Sequence, residues 1–200
     1  MPKSDRPVIK PVLHHWGMRT IKFDEMVAWY ETVLGLETVF GSPSPVPVAF
    51  VTNDEEHHRG GFFNIPGLVD SPERARSIGL NHIGWNYDSL DDLLDTWSRL
   101  QEEGIKSIVD TDHGPTFSIY YKDPEDNTVE LTCLSFDTLA QAVEACQDPV
   151  MIANPMGAPF VPEKLIQARK DGLSLSEIHE KTMAHEYAPE GPPPGPELIM

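Results

Sequence analysis

The amino-acid sequence predicts an α+β fold built from two βαβββ modules and a C-terminal helical extension. Three observations carry that expectation. Leu13-His14-His15-Trp16-Gly17 recurs as Leu80-Asn81-His82-Ile83-Gly84 at an offset of 67 (82 − 15). The offset holds through Phe23/Leu90, Val27/Leu94 and Tyr30/Trp97, and reaches 69 (104 − 35) at Gly35/Gly104. Each copy then continues with the same series, one helical stretch and three strand-like stretches.

The elements follow in order. Residues 13–17 form the first strand; side chains alternate across a strand, so His15 shares a face with Leu13 and Gly17 while His14 shares one with Trp16. A helix then opens on Asp24 and Glu25, acids that suit the positive helix N-terminus, and stops at Gly35. Strands are expected over 37–40, 47–52 and 60–65. After an inserted loop over 66–77, the second copy repeats the plan: a strand through His82, a helix opening on Asp91 and Asp92, a stop at Gly104. Its strands are expected over 105–111, 117–122 and 128–134, the last two joined by the turn Asp123-Pro124-Glu125-Asp126-Asn127. A short helix over 138–145 comes next, then a Pro/Gly-interrupted linker over 149–162. Ser174-Leu175-Ser176-Glu177 is a capping-box start for a helix running to about residue 185. The prolines of 189–196 call for an extended tail. The domain boundaries read from this are 1–135 (modules about 11–66 and 79–135), 136–188 for the extension and 189–200 for the tail.

Composition narrows the function. A hydrophobic share of 40% suffices for a core, and a formal net charge of −17 argues against nucleic acid or an anionic membrane as partner. Cys133 and Cys146 form neither a CxxC pair nor a disulfide framework. Residues 1–6 lack the apolar run of a secretory signal, and no stretch approaches membrane-spanning length. The expectation is a soluble, cytoplasmic protein.

The chemistry concentrates in Thr111-Asp112-His113 and Ile119-Tyr120-Tyr121-Lys122-Asp123-Pro124-Glu125-Asp126-Asn127-Thr128-Val129-Glu130, which put a histidine, a tyrosine and a carboxylate on two strands joined by a tight turn. This stretch resembles the signature of the type I extradiol ring-cleaving dioxygenases. That signature has a small or aliphatic residue two before a histidine. An aliphatic residue and Tyr follow five to seven positions later, then an acidic or small residue, Pro, and shortly afterwards Glu. Thr111, His113, Ile119, Tyr120, Asp123, Pro124 and Glu130 match; Asp126 stands where the family has Gly or Pro, and Asp tolerates left-handed turn geometry. The repeated βαβββ modules resemble the vicinal oxygen chelate fold over about residues 10–135, which implies a half-open mixed barrel.

The resemblance implies a metal site of His15, His82 and Glu130. The repeat selects His15 over His14, because His15 is the equivalent of His82. Two histidines and a carboxylate leave three adjacent positions of an octahedral metal open, which suits Fe(II), with Mn(II) accepting the same set; a closed four-ligand zinc site would not. By the same resemblance Tyr120 hydrogen-bonds a substrate hydroxyl, and His113 steadies the substrate oxygen. His58, from the His-His-x-x-x-Phe segment His57-His58-Arg59-Gly60-Gly61-Phe62, is the acid–base residue, with His57 as its rival. The implied reaction inserts both atoms of dioxygen into a catechol-type aromatic diol with ring opening, and a homo-oligomer is expected. Tyr121 falls on the opposite face and is assigned to packing. His179, His185 and the acids around 91–95 and 102–103 are assigned to a solvated surface.

Two other classes stay open. A glyoxalase-like lyase or epimerase of the same fold adds a fourth ligand, Glu or Gln, on the last strand of the first module. The two offsets from Glu130 reach Phe63 (130 − 67) and Gly61 (130 − 69), neither of which is a ligand. A non-catalytic small-molecule-binding protein needs neither the metal set nor the His113/Tyr120 pair.

Overall fold

Two parallel strand pairs organise the chain, one in each of two compact units, 1–76 and 77–200. The computed structural model describes residues 7, 9–71, 73–74 and 77–191; residues 1–6 and the tail from 192 onward lie outside that set. In unit one, β1 (Trp16–Arg19) leads to α1 (Phe23–Leu34), β2 (Glu37–Ser42), β3 (Val48–Thr52) and β4 (Gly60–Phe63). The sheet order is β1-β4-β3-β2, with β1 parallel to β4 and the other pairs antiparallel. Met26, Tyr30 and Val33, spaced four and three apart, form the buried face of α1. Gly35 closes the helix in the left-handed region (φ 66), its N–H donating to the Glu31 carbonyl.

Unit two repeats the plan and extends it. It comprises β5 (His82–Asn86), α2 (Leu90–Glu102), β6 (Val109–Asp112), β7 (Thr116–Lys122) and β8 (Thr128–Leu134). These are followed by α3 (Leu139–Ala145), α4 (Pro149–Ala153), β9 (Ala158–Pro159), α5 (Pro162–Lys170) and α6 (Leu175–Met183). The sheet order is β5-β8-β7-β6-β9, again with a parallel pair, β5 and β8, at one side. Leu93, Leu100, Phe117, Ile119 and Leu131 are wholly buried, each contributing on the order of 1.5–3 kcal/mol, and Tyr121 is buried beside them. Both sheets are open; no closed barrel forms among the described residues.

The registers make the repeat concrete. Gly17 pairs with Gly61 across β1 and β4, and Gly84 pairs with Glu130 across β5 and β8. Gly61 is therefore the structural counterpart of Glu130, at the offset of 69 (130 − 61).

Several boundaries differ from the sequence-based expectation. The first strand begins at Trp16, so His14 and His15 precede it and strand alternation does not by itself orient them. The strand expected over 105–111 starts only at Val109, because Ile105 N–H turns back to the Leu100 carbonyl and Gly104 sits at φ 81. The expected linker over 149–162 contains α4 and β9 instead. Strand β9 pairs with β6 (Asp112 with Ala158), and Thr111 Oγ1 donates to the Met156 carbonyl at 2.8 Å. Gly157 (φ 72) is required at the approach, since a Cβ there would collide with the Asp112 carbonyl. Helix α5 was not foreseen. Pro162 opens it, Leu165 and Ala168 bury its inner face, and Arg169 makes two 2.7 Å bonds to Asp91, which stays on the exposed face as expected. The capping box of α6 is present, with Glu177 N–H on Ser174 Oγ and Ser174 N–H on Glu177 Oε2. His179 is not a surface residue: its Nδ1 bonds the buried Asp112 carboxylate at 2.7 Å. Asp126 adopts φ 61, the left-handed geometry its turn demands. No helix among the described residues is long and apolar enough to cross a membrane.

Candidate metal centre

In unit two the register builds the site. Tyr120 lies opposite Glu130 across β7 and β8, and Gly84 lies opposite Glu130 on the other side. His82, two residues before Gly84, shares its strand face. A Cβ at Gly84 would stand 3.1 Å from Glu130 Oε2, so glycine leaves this carboxylate its room. Glu130 Oε2 is 3.1 Å from His82 Nε2, and Glu130 Oε1 accepts from the Tyr120 hydroxyl at 2.8 Å. His113 Nε2 is 2.9 Å from the same hydroxyl. One chain of contacts thus joins His82, Glu130, Tyr120 and His113.

The outer nitrogens are fixed by acceptors. His113 Nδ1 faces the Pro155 carbonyl at 3.0 Å, and His82 Nδ1 faces Asn81 Oδ1 at 2.5 Å. A carbonyl oxygen only accepts, so each Nδ1 carries its hydrogen and Nε2 is the working nitrogen. A histidine whose Nδ1–H is held this way is prepared to ligate a metal through Nε2. The side chains of His82 and Glu130 are 36% and 13% exposed, which puts the pair at an accessible edge. Burial, reinforced by the Glu130 charge, pushes the Tyr120 hydroxyl far above the usual phenol range, so Tyr120 remains a neutral donor. An imidazole nitrogen and a carboxylate oxygen converging at an exposed edge fit the donor chemistry of a divalent metal.

Unit one gathers the other residues singled out by the sequence. His14 and His15 lead into β1, and His57 and His58 lead into β4. Because the two strands are parallel and adjacent, the four rings meet. His15 lies 4.6 Å from His58 between ring centroids, and its Nδ1 is 2.8 Å from His14 Nδ1. Arg59 ties the segments together: its carbonyl accepts from Trp16 N–H, and its guanidinium donates to the His14 carbonyl and to Asp54. His58 stacks on Phe50 at 4.9 Å, while Phe62 is wholly buried. Partial burial, and then the neighbouring imidazoles, hold His58 below the usual histidine range. At Gly61, the counterpart of Glu130, a Cβ would already stand 3.0 Å from the Phe63 ring and 3.1 Å from the Phe50 ring. A side chain there would require both rings to shift, and the glycine present offers no ligand atom.

Sequence reasoning missed Asn81, Gly84, Phe50 and the Pro155 carbonyl. Asn81 and Gly84 stand inside the repeated motif flanking His82, and that adjacency was the available signal. A backbone carbonyl in a proline-rich segment offers none.

The family model described as Glyoxalase/Bleomycin resistance protein/Dioxygenase superfamily matches residues 12–131. Biphenyl-2,3-diol 1,2-dioxygenase 2 of Rhodococcus globerulus is 34% identical over 184 residues, 92% of this chain and 95% of that protein. Biphenyl-2,3-diol 1,2-dioxygenase 3 of the same organism is 34% identical over 177 residues, 88% of this chain and 91% of that protein. Among solved structures, a glyoxylase/bleomycin resistance protein/dioxygenase domain from Frankia sp. EAN1pec has a TM-score of 0.53 at 17% identity, covering 64% of this chain and 93% of that one. The fosfomycin resistance protein FosX from Listeria monocytogenes gives 0.52 at 17% identity, over 68% and 98%; these two likenesses concern the fold alone. The chain belongs to the glyoxalase/bleomycin resistance protein/dioxygenase superfamily.

Proposed function

We propose that this chain is an extradiol dioxygenase that inserts both atoms of dioxygen into a catechol-type aromatic diol with ring opening. The observation that carries the reading is the His82–Glu130–Tyr120–His113 chain of contacts, and the 34% identity to two biphenyl-2,3-diol dioxygenases supports it. Gly61, at the position equivalent to Glu130, supplies no side-chain ligand, which argues against a lyase with a fourth ligand there. His82 and Glu130, with His15 as the third ligand by resemblance, would hold Fe(II), or Mn(II) on the same donors. The metal, when bound, supplies the shared coordination of diol and dioxygen through which electrons pass between them.

The chain's own residues handle position and protons. Tyr120, neutral and nearly buried, offers one hydroxyl between Glu130 Oε1 and His113 Nε2. Turning that hydroxyl toward a diol oxygen exchanges one hydrogen bond for another, so the diol is oriented at little cost. His113, anchored through Nδ1–H on Pro155, keeps Nε2 as the acceptor, free to take a hydrogen bond from Tyr120 or from a substrate hydroxyl. His58 is the proposed general base. Its depressed proton affinity keeps a ring nitrogen unprotonated near neutral pH, ready to take the proton of a diol hydroxyl and return it later. Such transfers contribute on the order of 10²–10⁴-fold. A homo-oligomer and cytoplasmic residence complete the reading. Exposed Leu139, Val143, Val150 and Ile152 on α3 and α4 support the first, and two free cysteines support the second.

The test is direct. Anaerobically purified, iron-loaded protein should consume oxygen and form coloured ring-opened product with at least one of a panel of catechols that includes 2,3-dihydroxybiphenyl. No oxygen consumption with any member would sink the assignment. His82→Ala and Glu130→Ala should lose bound iron, and His58→Ala should keep the iron yet turn over slowly.

A further inference from the structure

Unit one holds four of the chain's eight histidines, more than a single metal ligand and a single acid–base residue require. Nitrogens of His14, His57 and His58 all lie within 4.8 Å of one another. Glu56 Oε2 stands 3.4 Å from His14 Nε2 and 3.8 Å from His57 Nδ1. In a tetrahedral zinc site with bonds of about 2.0–2.1 Å, neighbouring donor atoms are separated by about 3.3 Å. The His14–Glu56 edge already has that length, and side-chain rotations on an exposed surface close the others.

The surroundings favour a cation. Asp54, Glu55 and Glu56 run directly into His57, and the nearby guanidinium of Arg59 is neutralised by Asp54 at 2.8 Å. Imidazole-rich donor sets prefer Zn²⁺, Ni²⁺ and Cu²⁺ to Mg²⁺ or Ca²⁺, and bind them more tightly than Fe²⁺. None of these four residues belongs to the ligand set His15, His82 and Glu130.

We propose that His14, His57 and His58, with Glu56 as the fourth donor, form a second metal site that takes one Zn²⁺-class cation. Occupancy engages the lone pair of His58. On the proposed reading of His58 as the general base, the cation therefore inhibits turnover, and metal availability regulates the enzyme through a residue that the reaction already uses.

The test titrates metal-free full-length protein with Zn²⁺ against a chromophoric chelator. His82→Ala/Glu130→Ala should keep one tight zinc equivalent. His14→Ala/His57→Ala should bind one equivalent fewer than the unsubstituted protein, with any residual binding at least 100-fold weaker. Cobalt(II) gives a readout independent of activity: the unsubstituted protein should show the intense visible band of tetrahedral Co²⁺, and the His14→Ala/His57→Ala variant should lose it with unchanged far-ultraviolet circular dichroism. Equal zinc stoichiometry and affinity in the unsubstituted protein and the His14→Ala/His57→Ala variant would overturn the site. In the iron-loaded enzyme, half-inhibition should need at least 10-fold more zinc in Glu56→Gln, each protein measured against its own uninhibited rate. Zinc that fills the site without slowing turnover would overturn the inhibitory role and count against His58, while the stoichiometry would still report on the site itself.

Discussion

Replacing His179 by alanine should destabilise unit two by about 3 kcal/mol, and the loss should deepen as pH rises. The Asp112 side chain is fully buried. Its Oδ1 takes Gly114 N–H at 2.8 Å and Ser135 Oγ at 3.1 Å, while Oδ2 has His179 Nδ1 at 2.7 Å. Removing one partner of a buried ion pair costs about 3–5 kcal/mol, and a single hydrogen bond to a charged group is worth about 1.5–3 kcal/mol. Two bonds to Oδ1 survive, so the estimate falls where those ranges meet, about 3 kcal/mol. Burial already raises the Asp112 carboxyl above the usual carboxylate range, and His179 acts to lower it. Without His179 the folded-state value rises further. The folded protein then holds more protons than the unfolded chain between the ordinary carboxylate value and the raised one, so stability falls as pH climbs through that window. Urea unfolding at pH 5 and pH 8 measures this, and at about 2–4 °C per kcal/mol the melting temperature should drop by roughly 6–12 °C at the higher pH. In an Asp112→Asn background the same replacement should cost only about 1 kcal/mol. A loss under about 1 kcal/mol at pH 8, or equal losses in both backgrounds, would refute the argument.

Three further outcomes follow from single contacts. Asp110 is half-buried, and burial pushes its carboxyl up to about 7; its Oδ1 has no hydrogen-bond partner among the described residues. Stability should therefore fall as pH rises from about 4 to about 7. Asp110→Asn should remove that slope and gain on the order of 2–4 kcal/mol at pH 8 by thermal melts. Gly84→Ala should displace the Glu130 carboxylate and weaken metal binding by roughly 10-fold or more in a calorimetric titration, with the fold intact. Tyr120→Phe keeps the buried ring but removes the hydroxyl shared by Glu130 and His113. On the dioxygenase reading, kcat/KM in an oxygen-uptake assay should drop by roughly 10–100-fold while bound metal is retained.

What was legible in the sequence was whatever depends on local chemistry or on repetition. The Asp and Glu openings, the glycine stops and the Ser174–Glu177 box are decided within one helical turn, and they appear where expected. The 67-to-69 drift narrowed the counterpart of Glu130 to Phe63 or Gly61, and the strand register selects Gly61. Features that depend on distant partners were not legible. His179 looks like a solvated helix residue until Asp112, 67 positions away, is placed beside it. Segment 149–162 looks like a linker because two paired residues, Ala158 and Pro159, are too short a strand to leave a pattern. At the candidate site the motif gave residue types and spacing, whereas Nδ1 partners such as Pro155 come from parts of the chain the motif does not include.

That last point makes the C-terminal extension part of the site. Pro155 reaches His113 because Thr111 Oγ1 holds the next stretch of chain to β6, donating to the Met156 carbonyl at 2.8 Å and lying 3.3 Å from the Ala158 carbonyl. Thr111→Val preserves shape and removes only this hydroxyl, leaving the partly buried Met156 carbonyl without this donor, at a cost of about 1 kcal/mol. The pin on Pro155 loosens with it, and His113 loses the acceptor that fixes its Nδ1 hydrogen. Turnover should then fall through the same His113–Tyr120 contact that Tyr120→Phe breaks, so the two substitutions together should slow the enzyme little more than Tyr120→Phe alone. Rates from oxygen uptake across the four-protein cycle measure this. Full additivity would show that Thr111 acts only on stability and that the extension supports the sheet without tuning the site.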